Sequence, residues 1–482
     1  MDRDAQRLRD LGYKQEFKRE ISLFVQAGFS FSTMAVLPNW LVGFGGCLSA
    51  GGPSSLFWGW VVVVPFVACI GLSMAEVISA YPLAGGIYSW CYMLSNKKWA
   101  PFMAWISGYL YLTGLITANM TLAWSATDFI YGIANLYLET QITSQGAFVG
   151  LYCGMFVLAT GYNCLGMKFS TYLNKFMVFW VFIGTIIVVI TVPVMAPTHT
   201  SAKWVFTEFM NGTGYDNLGL VFFLGLLQAG WTLVGYECGA QIVEGTKNAE
   251  VAAPRGIILC IGSAIVQGFV LIIAVLFSIQ DVDELLESPM PIATFFLRST
   301  SKPLTAFFLV ILLVAQFGSL CNSILATGHL FWALARDGCV PFHRSLYQLS
   351  DNHIPVRALI LQMAISIIVI MPSFGTMIYW KAIMSTAVIC INISYGLPLV
   401  CRLIWTRKDM PKGPFNLHGW SIPLNILSVF WILFFGVILC VPSYHPVEAE
   451  TMNWASLMIG AVSIFALCFW FISGRKNYKG PV

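Results

Sequence analysis

The chain has 482 residues, of which 58% are hydrophobic and 10% charged, and its formal net charge is +4. Ordinary soluble domains carry about 25% charged residues, so this composition excludes a water-soluble globular protein and predicts a polytopic membrane protein. In such a protein the position of the Lys and Arg residues along the chain is more informative than the net charge. The small positive net charge therefore does not indicate a nucleic-acid partner, and none is expected. The 13 cysteines form no C-x-x-C pair. They are interpreted as small buried hydrophobes, and neither a metal site nor a cofactor is expected.

The amino terminus, "MDRDAQRLRDLGYKQEFKRE", is too charged to be a signal peptide, which predicts a cytosolic tail over residues 1–20. Apolar stretches of about 20 residues can then cross a lipid bilayer as helices. The fold class expected is therefore an all-α membrane protein. We predict twelve spans, near residues 21–47, 56–79, 100–131, 146–166, 171–195, 218–243, 256–279, 303–333, 356–372, 377–402, 420–442 and 453–472.

The distribution of Lys and Arg supports this count and sets the orientation. With the amino terminus inside, 22 of the 26 Lys and Arg residues fall on the cytosolic side, as the positive-inside rule requires. The four outside are Lys203, Arg298, Lys302 and Lys381. Both termini are thus predicted to be cytosolic, the second as a tail over 474–482. The membrane expected is the plasma membrane, with an organelle membrane as the alternative. Asn211 begins an N-glycosylation triplet on a predicted outer loop.

Two of the spans contain helix-breaking patterns. In the first span, "QAGFSFSTMAVLP" combines Gly28, Pro38 and the hydroxyls of Ser30, Ser32 and Thr33. In the sixth, "LLQAGWTLVGYECGAQIVEG" places glycines, aromatic residues and an acid within one short stretch. The candidate substrate-binding residues of these two spans are Ser30, Ser32, Thr33, Gly230, Trp231, Gly235, Tyr236 and Glu237.

The two broken spans are five helices apart, which is typical of transporters built from two inverted repeats. We predict a first repeat over 21–200 with its outer loop, a second over 201–405, and a loop with two further helices over 406–473. Unwound backbone is tolerated in a membrane only against protein or a wet cavity. Half-helix amino termini suit a carboxylate and half-helix carboxyl ends suit a cation. Such a site favours a zwitterion, such as an amino acid, or a small organic cation.

Several motifs resemble the amino acid–polyamine–organocation superfamily of secondary transporters, most closely its eukaryotic amino-acid/choline branch, which includes GABA permeases. They are "FSFSTMAVLP" followed by "SAGGPSSLFWGW", "SMAEVISAYPLAGGIYSW", "GYECGAQIVEGTKNAEVAAPRGI" and "ALARDGCVP". The resemblance covers spans one to ten. It implies a LeuT-like fold of two inverted five-helix repeats plus two carboxyl-terminal helices, with alternating access around a midplane site.

The resemblance also implies roles for individual residues. Ser32 falls where relatives hold the substrate carboxylate, Trp231 where an aromatic residue stacks on the substrate, and Glu237 at the acid position. In span eight, the residues that fall on the pocket or on a cation site are Ser319, Asn322 and Ser323. This chain departs from the branch at Gln241, Gly245, Gly328 and His329, and it has Val181 where some relatives place a lysine.

A carboxylate in a water-poor break is costly in its charged form. Glu237 is therefore predicted to carry a coupling proton or to hold a substrate ammonium group. Glu76 is predicted to form an ion pair of a gate on the cytosolic side.

The leading hypothesis is secondary active transport of amino acids, including GABA and other ω-amino acids, coupled to protons or sodium or working by exchange. The alternatives are a carrier of choline, polyamines or other amines, and a nutrient sensor of the same fold. An enzyme is not expected, since the six histidines are dispersed without H-x-x-x-H spacing and no P-loop motif is present.

Overall fold

The computed structural model describes most of the chain, namely residues 21–83, 85–138, 144–350, 354–374, 378–407, 409–448 and 451–481. The predicted amino-terminal tail lies outside the described residues. Within them every regular element is a helix, apart from two isolated β-bridges, which pair Ile21 with Thr246 and Ala50 with Asn211. The prediction of an all-α membrane protein is confirmed.

The first half of the chain contains α1 (Leu23–Met34), α2 (Val36–Val42), α3 (Phe44–Ser49), α4 (Gly52–Ala80), α5 (Ile87–Leu94), α6 (Ala100–Tyr137), α7 (Gln145–Cys164), α8 (Met167–Met195), α9 (Ala202–Thr207), α10 (Leu218–Leu224) and α11 (Leu227–Thr232). A 3-10 helix follows at Cys238–Gly245. The second half contains α12 (Ala249–Phe277), α13 (Val282–Glu287), α14 (Pro291–Ser299), α15 (Lys302–Arg336), α16 (His343–Leu346), α17 (Val356–Ile370), α18 (Ile378–Ile404), α19 (Ser421–Ile438), α20 (Ala455–Phe469) and α21 (Arg475–Asn477). Short 3-10 or π segments lie at Met371–Phe374, His418–Trp420 and Trp470–Gly474.

Nine helices of the described residues are long and apolar enough to cross a membrane. They match predicted spans two, four, five and seven to twelve. The third predicted span is the 38-residue helix α6. Spans one and six are each divided into shorter helical pieces, as the breaker patterns predicted.

Burial separates the central helices from those that face lipid. In α18, 72% of the most apolar window is buried inside the protein, whereas in α20 only 11% is buried. Helix α8 exposes large apolar side chains along one face, including Phe179, Phe182 and Ile190, where lipid is the natural solvent. Helices α6, α15 and α18 pack together with α1 and the 3-10 helix around the two interrupted spans.

The break in span one lies later than its glycine and hydroxyls suggested. Helix α1 runs through Gly28 to Met34, and the chain turns at Ala35, which has the left-handed φ of 37°. The hydroxyls of Ser32 and Thr33 donate to the carbonyls of Gly28 and Phe29, 2.6 Å away in each case. Such bonds to the preceding turn are a usual role of serine and threonine in membrane helices. Gly28 and these hydroxyls therefore form the last turns before the break that their pattern predicted for span one.

The break in span six is longer. Helix α11 ends at Thr232, and the 3-10 helix begins at Cys238. Between them Gly235 has a φ of 99°, a conformation that disfavours residues with a Cβ. The stretch from Leu233 to Glu237 thus interrupts the helix of span six.

Candidate functional site

The breaks in spans one and six lie against each other. A Cβ atom at Gly235 would lie 3.6 Å from Cγ2 of Thr33 and 3.8 Å from the backbone nitrogen of Met34. The absence of a side chain at Gly235 therefore lets the turn of span six approach the end of α1.

Side-chain to backbone hydrogen bonds join the two spans on both sides of the breaks. Before the first break, the amide of Gln26 donates to the Gly239 carbonyl at 2.5 Å, and the Gly239 N–H donates to the Ser30 hydroxyl at 3.0 Å. After it, the amide of Gln228 in α11 donates to the carbonyl of Trp40 in α2 at 2.8 Å. These bonds supply partners for backbone groups that the broken helices leave unpaired, as a membrane interior requires.

Glu237 lies at the start of the 3-10 helix and is fully buried. Its Oε1 accepts a hydrogen bond from the hydroxyl of Tyr111 in α6 at 2.9 Å. Its Oε2 accepts another from Tyr395 in α18. The Tyr395 oxygen also accepts from the Gly235 N–H at 3.3 Å. Helices α6 and α18 thus hold the carboxyl group at the break through two phenols.

Glu76 and Glu237 are both buried acidic residues, and their partners differ. Glu76 is paired with an arginine, Arg402. Glu237 has hydroxyl donors and no cationic partner within the described residues. A buried carboxylate without a cation is strongly disfavoured. The negative charge of Glu237 must therefore be neutralised by a bound proton or by a cation from outside the protein.

A second polar cluster lies beside the first break. The single proton of the Ser32 hydroxyl is shared between the Gly28 carbonyl at 2.6 Å and Oδ1 of Asn174 at 2.7 Å. The amide of Asn322 donates to the same Oδ1 and to the Ser32 hydroxyl oxygen, each at 2.8 Å. Ser319 donates to the Thr33 carbonyl at 2.5 Å. This polar cluster, formed by Ser32, Asn174 and Asn322, joins α1, α8 and α15.

The predicted aromatic residues are both buried near the second break. The rings of Tyr236 and Tyr395 are tilted with centroids 5.2 Å apart. Trp231 lies in the last turn of α11, and its indole N–H has no hydrogen-bond partner among the described residues. Gly230 is helical, and a Cβ there would lie 2.5 Å from the ring of Phe435. The geometry of Gly230 is explained by helix packing.

The remaining predicted residues lie apart from the breaks or have structural partners. Ser323 is buried, and its carbonyl accepts the hydroxyl of Thr327 at 2.7 Å. Asn211 is exposed, and its side-chain amide donates to the Tyr215 carbonyl at 2.7 Å. No group of three or more His, Cys, Asp or Glu side chains that could hold a metal ion occurs in the described part of the chain.

Sequence reasoning missed the partners that other helices supply. Tyr111, Tyr395, Asn174 and Gln26 were not among the predicted site residues. Tyrosines are frequent in membrane helices, so the stretches that contain Tyr111 and Tyr395 gave no distinct signal. Asn174 and Gln26 are polar residues within apolar runs, and this signal could have identified them.

A membrane protein with two interrupted helices meeting at a buried acid has the architecture of a secondary transporter. Comparison with known proteins identifies the family. The model of a family described as amino acid permease matches residues 21–464. The chain therefore belongs to the amino acid permease family, within the amino acid–polyamine–organocation superfamily.

Relatives align along nearly their whole length. The chain is 31% identical to the amino-acid permease BAT1 homolog of Oryza sativa subsp. japonica, with 99% of this chain and 95% of the relative covered. It is 29% identical to amino-acid permease BAT1 of Arabidopsis thaliana, with 100% and 97% covered. An uncharacterized amino-acid permease of Schizosaccharomyces pombe is 30% identical, with 100% and 90% covered. The protein is thus a multi-pass membrane transporter of amino acids and not an enzyme.

Proposed function

We propose that the protein moves amino acids by alternating access, with the substrate bound where the breaks of spans one and six meet. The main supporting observation is the buried carboxyl group of Glu237 at this meeting point, which is held by Tyr111 and Tyr395 and has no cationic partner among the described residues. A proton on Glu237, or the ammonium group of the substrate, neutralises this site. When the substrate ammonium group replaces the proton on Glu237, or the proton replaces the ammonium group, the proton gradient is coupled to amino acid movement.

The polar cluster supports a binding site for the substrate carboxylate next to α1. Ser32 donates its hydroxyl to Asn174, while Asn322 offers an amide to both. Hydroxyl and amide groups bind a carboxylate without adding a charge of their own. A carboxylate site here and an ammonium site at Glu237 suit a zwitterion, and ω-amino acids such as GABA are within the proposed substrate class.

We propose that the Glu76–Arg402 ion pair belongs to the cytosolic gate. The pair joins α4 to α18, and α18 also carries Tyr395. A movement of α18 that opens the cytosolic side would separate this pair and shift a hydrogen-bond partner of Glu237 in one step.

The test is transport by the purified protein in liposomes, with labelled GABA, neutral and basic amino acids, choline and putrescine. Uptake is measured with a proton gradient, with a sodium gradient and with neither. We expect accumulation of an amino acid under the proton gradient. Accumulation of choline or putrescine alone would favour the amine carrier instead. No flux of any compound under any gradient would contradict the proposal.

The role of Glu237 is tested by separating accumulation from exchange. Glu237→Gln keeps the shape of the side chain but cannot exchange a proton. We expect it to abolish proton-driven accumulation and to reduce counterflow exchange between equal substrate concentrations less, because counterflow needs no net movement of protons. Glu287→Gln, at an exposed position in α13, is the matched control and should accumulate substrate normally. Unchanged accumulation by Glu237→Gln would remove its assigned role.

A further inference from the structure

A cavity of about 390 Å³ lies away from the two breaks. Its walls are the last turns of α6, the start of α7 and the segment from Ser288 to Leu297, which includes most of α14. These segments belong to the predicted outer side of the membrane. The volume lies within the range of about 300–1,000 Å³ that small-molecule sites occupy.

Asp128 of α6 lines this cavity. It makes no hydrogen bond or ion pair with any described residue. Among the described residues of the lining there is no lysine, arginine or histidine. Two cations of the predicted outer side have partners elsewhere: Arg298 pairs with Glu284 at 2.6 Å, and the Lys302 ammonium lies 5.0 Å from the ring centre of Tyr137.

The remaining walls combine apolar and neutral polar groups. Trp124, Phe148, Met290 and Leu297 supply apolar surface, and Thr294 supplies a hydroxyl. A carboxylate in an apolar cavity attracts a cation that also carries apolar surface. An amino acid would bring a carboxylate that finds no positive partner there.

We propose that this cavity is a second binding site, specific for a small organic ammonium compound. The ammonium group pairs with Asp128, and the apolar part of the ligand contacts the aromatic and aliphatic walls. This site is separate from the site proposed for amino acids and does not depend on it.

The position of α14 links this cavity to span one. Ala293 and Thr294 of α14 line the cavity. On the same helix, the ring of Phe295 packs 5.8 Å from that of Phe44 in α3. A Cβ atom at Gly45 of α3 would lie 2.5 Å from the ring of Pro291. A ligand in the cavity therefore contacts a helix that packs closely on the outer end of span one, and binding is expected to change the transport rate.

The test is titration calorimetry of the full-length protein in lipid nanodiscs with butylamine, butan-1-ol and butyrate. These probes share an apolar tail and differ in charge. We expect butylamine to bind at least about tenfold more tightly than the other two. Asp128→Asn should weaken butylamine binding at least about tenfold. Asp283→Asn, which removes an exposed acid of α13, should leave it unchanged.

A second variant separates loss of the site from loss of the fold. Ala293→Phe fills the cavity from α14 while keeping the Asp128 carboxylate, and it should also abolish butylamine binding. Thermal unfolding and gel filtration report whether each variant is folded. Butylamine binding that survives in both folded variants would overturn the proposal. Binding that is lost in Glu237→Gln and kept in Asp128→Asn would overturn it too, because it would assign the amine to the transport site.

Discussion

Glu76 and Arg402 form a buried ion pair, with the carboxylate Oε2 2.6 Å from the guanidinium Nη1. Their side chains are only 1% and 5% exposed. The same carboxylate accepts hydrogen bonds from the hydroxyl of Ser421 at 2.7 Å and from the N–H of Leu417 at 3.2 Å. Helix α4, helix α18 and the start of α19 are therefore joined at one carboxylate.

The first prediction concerns this pair. Glu76→Gln or Arg402→Met leaves the other charge buried and unpaired, so each single change should destabilise the protein by about 3–5 kcal/mol. The double variant should lose less than the sum of the two, because no isolated charge remains. Thermal unfolding in detergent measures all three.

Arg298 and Glu284 provide the control for this experiment. They form an ion pair of the same 2.6 Å length, but their side chains are 57% and 37% exposed. Solvent screening makes such pairs weak, so Arg298→Met should leave the unfolding temperature unchanged. Equal effects at the buried and exposed pairs would show that burial does not set the stability of the Glu76–Arg402 pair.

The second prediction concerns the tyrosines that donate to Glu237. Tyr395→Phe and Tyr111→Phe each remove one donor from a buried carboxyl group, a change that costs about 1–3 kcal/mol. If these hydrogen bonds stabilise the rate-limiting step of transport, losing both should lower the initial uptake rate of the double variant about tenfold or more. Tyr172→Phe, at a position of α8 that is 71% exposed, should transport normally. Unchanged uptake by the double variant would show that the two tyrosines do not contribute to the transport step.

The general fold could be predicted from the sequence because a membrane imposes simple rules. Backbone groups need internal partners in lipid, so span number follows from the length of apolar runs, and glycine and proline patterns indicate interrupted spans. The exact end of α1 could not be predicted in this way. It ends at Met34, beyond Gly28 and the hydroxyls of the breaker pattern, because contacts between helices decide where a helix terminates.

The candidate site was only partly predictable for a related physical reason. Glu237 stands out because an acid in an apolar span is costly. Its partners Tyr111 and Tyr395 come from helices 126 and 158 residues away in the chain. Packing between distant helices selects these tyrosines from many in the sequence, and no local pattern records that selection.

The third prediction tests the polar cluster of Ser32, Asn174 and Asn322 by a double-mutant cycle. Asn174→Ala removes the acceptor shared by the other two side chains, and Asn322→Ala removes a donor to both. Because each single change leaves buried polar groups unpaired, the effects on the free energy of unfolding should be non-additive by about 0.5–3 kcal/mol. Additive losses would mean that the three side chains do not act as one network.

The fourth prediction tests the backbone at the second break. A Cβ at Gly235 has room, since its nearest neighbour would be Thr33 Cγ2 at 3.6 Å, but φ is 99°. Gly235→Ala should therefore destabilise the protein by about 1–2 kcal/mol through backbone strain alone. Uptake should fall with it, because the strain acts where the two spans meet.

Two further variants at glycines distinguish strain from loss of space. Gly235→Asn should retain more stability and uptake than Gly235→Ala, since asparagine tolerates positive φ better than alanine. Gly436→Ala lies within helix α19, where a Cβ would meet no atom within 4 Å, and should be neutral or slightly stabilising. If Gly235→Ala matches Gly436→Ala in unfolding temperature and uptake, the chain at residue 235 does not need the left-handed conformation, and the two breaks are not held together by this turn.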